Sequence, residues 1–297
     1  MESATTPGPV RGFPSTVGRY RLVAPLGMGG AAAVFLGRAE GIGGFARDVA
    51  VKLQDAVYVQ DFLREARLAA RIRHPNVVPV VDVGESPEGV YLVMEWVRGL
   101  SLADLLELAA KSGTAVLPPV ALRLLCDALA GLHAAHDVTD DEGRPLGLVH
   151  RDFTPHNILV ATSGMAQLSD FGIAKPTRLP GHTRTGIVKG KIPYMAPEQV
   201  QAQPLDRRTD VFAAGIIAWE LLTGRRMHEE SEEAALLVKI ATTTPPSLKT
   251  VRPDLPPALV GVVDGALAAS PDRRWPTAQD FRSRLESAAK ALGGLAS

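Results

Sequence analysis

Hydrophobic positions along the chain change their rhythm once, near residue 97. From Tyr20 to Val97 the apolar residues come in short runs, Val34-Phe35-Leu36, Val49-Ala50-Val51 and Val90-Tyr91-Leu92-Val93, separated by glycines and polar breaks. Runs of that length predict strands. One helix interrupts them: Phe62, Ala66, Ala69 and Ala70 recur at helical spacing within residues 61–73, and Pro75 closes the segment. After Gly99 helical periodicity dominates, over 101–110, 118–136, 210–223, 232–242, 256–269 and 277–292. Strands first and helices afterwards predict an α+β chain, with the break between Met94 and Gly99. Residues 137–148 are polar and carry Gly143, Pro145 and Gly147, which predicts a surface loop. Residues 1–18, rich in Pro, Gly, Ser and Thr, predict a disordered leader.

Composition narrows the picture. The 297 residues suit one large domain or two lobes, and 46% hydrophobic with 22% charged residues is ordinary for a packed chain. The 32 basic and 32 acidic residues cancel, which argues against a broad electrostatic grip on nucleic acid or an anionic membrane. Cys126 is the single cysteine, so no intramolecular disulfide or cysteine-cluster metal site is expected. Its place in the apolar run from Ala121 to Leu132 reads as core. No stretch near the amino terminus resembles a signal peptide, and the apolar segment 211–222 contains Glu220 and is too short to span a bilayer. The expectation is a cytoplasmic protein without membrane insertion and without a nucleic-acid partner.

Candidate chemistry gathers at five places. The first is Leu26-Gly27-Met28-Gly29-Gly30-Ala31-Ala32-Ala33-Val34, between two strand-like runs. Glycines there let a tight turn bring backbone N–H groups close to phosphate oxygens. The alternative is an ordinary glycine-rich hairpin turn. A dinucleotide-binding turn is disfavoured, because this one leads into a strand and not a helix. The second is Val49-Ala50-Val51-Lys52, a strand ending in lysine, with Glu65 on the helix beyond it. Such a lysine can bind phosphate oxygens and a glutamate can hold it by an ion pair, although taken separately Lys52 is an edge-strand lysine and Glu65 a solvated helix residue in most proteins. The remaining three are His150-Arg151-Asp152-Phe153-Thr154-Pro155-His156-Asn157-Ile158-Leu159, Ser169-Asp170-Phe171-Gly172 and Tyr194-Met195-Ala196-Pro197-Glu198.

In this order and spacing the five motifs resemble the eukaryotic-type protein kinase family in its bacterial form, over roughly Tyr20 to Ala289. The resemblance implies a two-lobed α+β fold, with a β-rich small lobe over 19–97, an α-rich large lobe over 98–289 and ATP in the cleft. The leader then covers 1–18 and a tail covers 290–297. It implies an enzyme that uses ATP and Mg2+ to phosphorylate serine and threonine hydroxyls of proteins. Its own activation segment would be a substrate, modified in trans within a transient homodimer.

Residue roles follow from the same resemblance. Gly27, Met28, Gly29 and Gly30 would cover the phosphates in a turn running to Ala32, and Leu26, Val34, Ala50 and Leu159 would close on the adenine. Met94 would be the gatekeeper, and the backbone of Glu95 and Val97 would bond the adenine edge. Lys52 would hold the α- and β-phosphates, fixed by Glu65. Asp152 would orient the substrate hydroxyl and accept its proton, while Asn157 and Asp170 would bind Mg2+. Asp210 matches the aspartate that braces the catalytic loop; its other reading is a helix N-cap. Glu198 and Arg274 match a buried ion pair. Arg151 matches the subclass regulated by phosphorylation, and Thr183 and Thr185 stand where related bacterial kinases carry a phosphorylated pair. His133, His136 and His156 show no metal-ligand pattern and read as structural.

Three positions depart from the family. Ala32 replaces the third glycine of the loop, Thr154 stands where a lysine is usual, and Lys191 stands where a threonine is usual. Read together, the last two look like an exchange. The Lys191 ammonium would then supply positive charge to the transferring phosphoryl group, with the Thr154 hydroxyl completing the hydrogen bonds. One rival reading, a pseudokinase scaffold, is disfavoured because Lys52, Glu65, Asp152, Asn157 and Asp170 are all present. Another, a small-molecule kinase of the antibiotic-phosphorylating type, lacks the activation segment that here ends in Ala196-Pro197-Glu198.

Overall fold

Alternation of side chains along each strand gives the amino-terminal sheet two unlike faces, and that contrast positions the candidate phosphate-binding residues. The computed structural model describes residues 14–28, 32–54, 59–171, 190–230 and 232–295. Among these the chain forms two compact units. One runs to Arg71 and resumes over Val78–Val97; the other takes Ile72–Val77 and the chain from Arg98 onward.

The first unit is an antiparallel sheet in the order β1-β2-β3-β4-β6-β5, with strands β1 (Thr16–Val17), β2 (Tyr20–Met28), β3 (Ala32–Glu40), β4 (Ala46–Gln54), β5 (Val80–Ser86) and β6 (Gly89–Glu95). Helix α1 (Val59–Ala69) packs on β5 and β6. Tyr20, Leu22, Phe35, Val49, Val51, Tyr91 and Val93 fill one face as a hydrophobic cluster. Since successive side chains point to opposite faces, the rows Val34–Lys52–Leu92 and Leu36–Ala50–Met94 lie on the other.

The amino-terminal boundary differs from the expected leader. Thr16 and Val17 pair with Arg21 and Tyr20 as β1, and Val17 is 1% exposed, so this part of the 1–18 stretch belongs to the sheet. A two-residue strand owes its existence to its partner, which composition does not reveal. The helix expected over 61–73 begins earlier and ends at Ala69.

The second unit is mainly helical. Its helices are α2 (Leu102–Lys111), α3 (Pro118–His136), α4 (Pro197–Val200), α5 (Arg207–Thr223), α6 (Glu233–Thr242), α7 (Leu248–Val251), α8 (Pro257–Ala266) and α9 (Ala278–Ala289). Helix α3 packs against both α5 and α9. In α5 every residue from Thr209 to Leu222 is buried, Asp210 and Glu220 included, among side chains that are mostly apolar on every side. A small antiparallel sheet, β7 (Gly99–Ser101), β8 (Ile158–Ala161) and β9 (Ala166–Leu168), accompanies the helices. Its strands are too short to show a period of two. Cys126 is 1% exposed on α3, and burial pushes its thiol up to about 12.

Candidate active site

In the first unit, Lys52 lies in β4 directly opposite Val34 of β3 and Leu92 of β6, with Ala50 and Met94 one row along the same face. The sheet therefore collects Val34, Ala50, Lys52 and Met94 on the side away from its hydrophobic cluster. Leu26, Gly27 and Met28 end β2, with Gly27 opposite Val34. Glu95 donates its backbone N–H to the Pro79 carbonyl at 3.0 Å, and its carboxylate pairs with Arg47. Val97 follows β6, half-buried. Gly29 and Gly30 lie outside the described residues, as does the side chain of Glu65 on α1.

In the second unit, the loop from His150 to Asn157 is built around Asp210. Its Oδ2 accepts from the His150 amide at 2.7 Å, its Oδ1 from the Arg151 amide at 2.8 Å, and its Oδ2 also meets His136 Nε2 at 2.8 Å. Arg151 adopts φ +62°, the left-handed region that residues other than glycine rarely occupy, and the hydrogen bonds from the two amides to Asp210 hold that turn in place. Asp210 is inside α5 and is not its N-cap; Asp206 caps the helix, accepting from the Arg208 amide at 2.8 Å. The His150 ring is locked as well. Its Nδ1 accepts from the Asp152 amide at 3.3 Å, which leaves Nε2 to donate to the Ser169 carbonyl at 3.2 Å. Phe171 packs on the same ring at 4.8 Å between centroids.

These contacts deliver Asp152, only 5% exposed, beside Asn157. Asn157 donates from Nδ2 to the Asp152 carbonyl at 2.8 Å, so its Oδ1 is the amide atom with lone pairs to offer a cation. Ser169 donates its N–H to the Asn157 carbonyl at 2.8 Å, which ties the residue before Asp170 to this loop. Asp170 is half-buried at φ +52°. A carboxylate and an amide oxygen are hard donors of the kind a small divalent ion takes. Leu159 lies in β8 of this unit, beside the buried Ile158.

The segment from Gly190 to Glu198 runs along the loop. A Cβ built on Gly190 would lie 3.8 Å from the His156 ring. Lys191 Nζ pairs with Asp152 Oδ2. Thr154, two residues beyond Asp152, is 3% exposed. Ile192 packs with Leu236 and Ile240. Tyr194 donates its hydroxyl to Glu220 at 2.8 Å, with Arg226 beside both. Burial pushes the Tyr194 phenol and the Glu220 carboxyl up, while Arg226 pulls each of them down. Gln199 Nε2 donates to the Arg151 carbonyl at 3.1 Å. Arg274 meets both Glu198 oxygens, at 2.6 and 2.8 Å, with both side chains buried.

Sequence reasoning located the loop and its brace but missed the help Asp210 receives from His136, the Tyr194–Glu220 anchor and the Gln199 bond. Each joins residues with no local spacing rule between them. Thr183 and Thr185 lie outside the described residues.

Comparison with known proteins agrees with this geometry. Residues 20–284 match the protein kinase domain family. The tyrosine-protein kinase MasK of Myxococcus xanthus is 40% identical over 276 residues, covering 91% of this chain and 43% of that protein. The serine/threonine-protein kinase PrkC of Bacillus subtilis is 32% identical over 277 residues, covering 91% of this chain and 40% of that protein. The chain thus spans less than half the length of these relatives. Among solved structures, the PknI kinase domain of Mycobacterium tuberculosis matches with a TM-score of 0.69 at 24% identity, covering 97% of this chain and 100% of that one, a likeness of fold. With the match extending over nearly all of the described residues, the chain belongs to the protein kinase domain family.

Proposed function

We propose that this chain transfers the γ-phosphate of ATP to serine and threonine hydroxyls of proteins, with Mg2+ as its metal ion and its own activation segment among the substrates. Family membership already implies ATP, a divalent ion and protein substrates. The observation that carries the reading is the Asp210 brace, which holds a strained loop so that Asp152 and Asn157 stand together.

In this reading the residues of 19–289 form the kinase domain. The turn from Gly27 to Ala32 covers the phosphates, Lys52 binds the α- and β-phosphates, and Glu65 fixes Lys52. Leu26, Val34, Ala50, Met94 and Leu159 enclose the adenine, with the Glu95 and Val97 backbones at its edge. Asp152 orients the acceptor hydroxyl and takes its proton as the oxygen attacks the γ-phosphorus. The bond from that phosphorus to the β–γ bridging oxygen breaks, and ADP leaves. Asn157 and Asp170 hold Mg2+, which offsets the charge of the triphosphate. The protein works in the cytoplasm, with a transient homodimer serving phosphorylation in trans. Among the described residues no helix is long and apolar enough to cross a membrane.

A second reading, transfer to tyrosine, is favoured by the 40% identical Myxococcus relative, which is a tyrosine-protein kinase by name. Incubation with ATP and Mg2+ followed by phosphoamino acid analysis separates the two. The first reading expects phosphoserine or phosphothreonine, and none when EDTA is present from the start of the incubation; phosphotyrosine as the main product overturns it.

A further inference from the structure

We propose that Lys191 is a positioning residue for phosphoryl transfer, its ammonium clamping the Asp152 carboxylate from the segment ahead of Pro197; the inference rests on the phosphotransfer reading above. The ion pair joins unlike environments, because the Asp152 side chain is 4% exposed and that of Lys191 is 30% exposed. Two solvated side chains in contact would contribute little. A buried carboxylate instead depends on the charges and donors that meet it. Between His150 and Leu159 the only lysine or arginine is Arg151, and its side chain is exposed. The cation at Asp152 therefore comes from a different stretch of chain.

The carrier of that cation is itself fixed. Tyr194 donates its N–H to the Lys191 carbonyl at 3.0 Å, in a short helical turn whose Ile192 is 0% exposed among Leu236 and Ile240. The Tyr194 hydroxyl is tied to Glu220 of α5. Helices α5 and α6 thus set where Lys191 begins, and Lys191 sets where the Asp152 carboxylate points. An aspartate that must meet an acceptor hydroxyl at hydrogen-bond distance gains from such outside support. The clamp acts through the base, so its loss should appear in kcat rather than in the KM for ATP.

The test is steady-state phosphorylation with purified wild-type, Lys191→Met, Lys191→Arg, Asp152→Asn and Lys191→Met/Asp152→Asn proteins, each checked by thermal melting. Lys191→Met is expected to lower kcat by about 10²-fold, with the KM for ATP within about threefold of wild type. Lys191→Arg should recover at least about tenfold of that loss, because it restores the charge. In the Asp152→Asn background the lysine change should cost less than about threefold, since Lys191 acts through that carboxylate. If Lys191→Met unfolds, Lys191→Gln carries the same expectation. A kcat within about threefold of wild type, an arginine variant as impaired as methionine, or losses that simply multiply in the double variant would each overturn the clamp. A wild type that transfers no phosphate sinks the phosphotransfer reading alone. The clamp is then decided by denaturation of wild type, both single variants and the double variant, where a coupling of zero between the two residues overturns it.

Discussion

At Asp210 one buried carboxylate accepts from two consecutive backbone amides, and those bonds offset the left-handed conformation of Arg151, a strain of about 1–3 kcal/mol. Glu198 and Arg274 show the same reliance on pairing. Arg274 is 4% exposed, and besides Glu198 it bonds the carbonyls of Ala268 and Ala269 at 2.8 and 3.0 Å. Arg274→Met strands a buried carboxylate and should destabilise the fold by about 3–5 kcal/mol. Urea denaturation measures this, and a loss below about 1 kcal/mol would show the pair to be dispensable. The brace Asp210 and the loop that carries Asp152 and Asn157 were legible in the sequence because each sits in a local motif. His136 was read as structural, as it is, but its partner was not legible, since His136 lies 74 residues from Asp210 and its Nε2 bond is set by how α3 meets α5. The N-cap alternative for Asp210 failed for a similar reason: α5 starts one turn earlier, where Asp206 takes the capping bond.

Among the elements, α3 shows what close packing demands. A Cβ on Gly131 would come within 2.2 Å of the Asn76 carbonyl oxygen. That oxygen already accepts from the Leu168 amide at 2.9 Å, and the Asn76 side chain donates to the Ala166 carbonyl at 2.9 Å, so it has little freedom to retreat. On helix propensity alone Gly131→Ala would gain about 1 kcal/mol. The clash reverses the sign, and a loss of about 1–3 kcal/mol is expected in the same denaturation experiment; a more stable variant would contradict the packing. Helix α3 was readable at both ends, from Pro118 to His136, because it is long and bounded. The strands β7, β8 and β9, the helices α4 and α7, and the two-residue β1 were not. Elements of two to four residues carry no period, and only their partners define them.

At the scale of the whole molecule, the proposed phosphotransfer depends on residues that lie far apart in the chain. Thr183 and Thr185 fall between Asp170 and Glu198, where added phosphate would bring about −1.5 to −2 charges each and could pair with Arg151. The double variant Thr183→Ala/Thr185→Ala should lose most of its activity toward a protein substrate, and mass spectrometry of the active wild type should find phosphate on at least one of the two. Full activity in the double variant would remove these sites from the account. The central claim is transfer of phosphate by Asp152 and Lys52 acting on bound ATP. It is tested most directly by incubating wild-type, Asp152→Asn and Lys52→Met proteins with γ-labelled ATP and Mg2+, after confirming that all three melt alike. The account predicts covalent label in the wild type and almost none in either variant; a folded variant that labels at the wild-type rate, or a wild type that takes up no label, would contradict it.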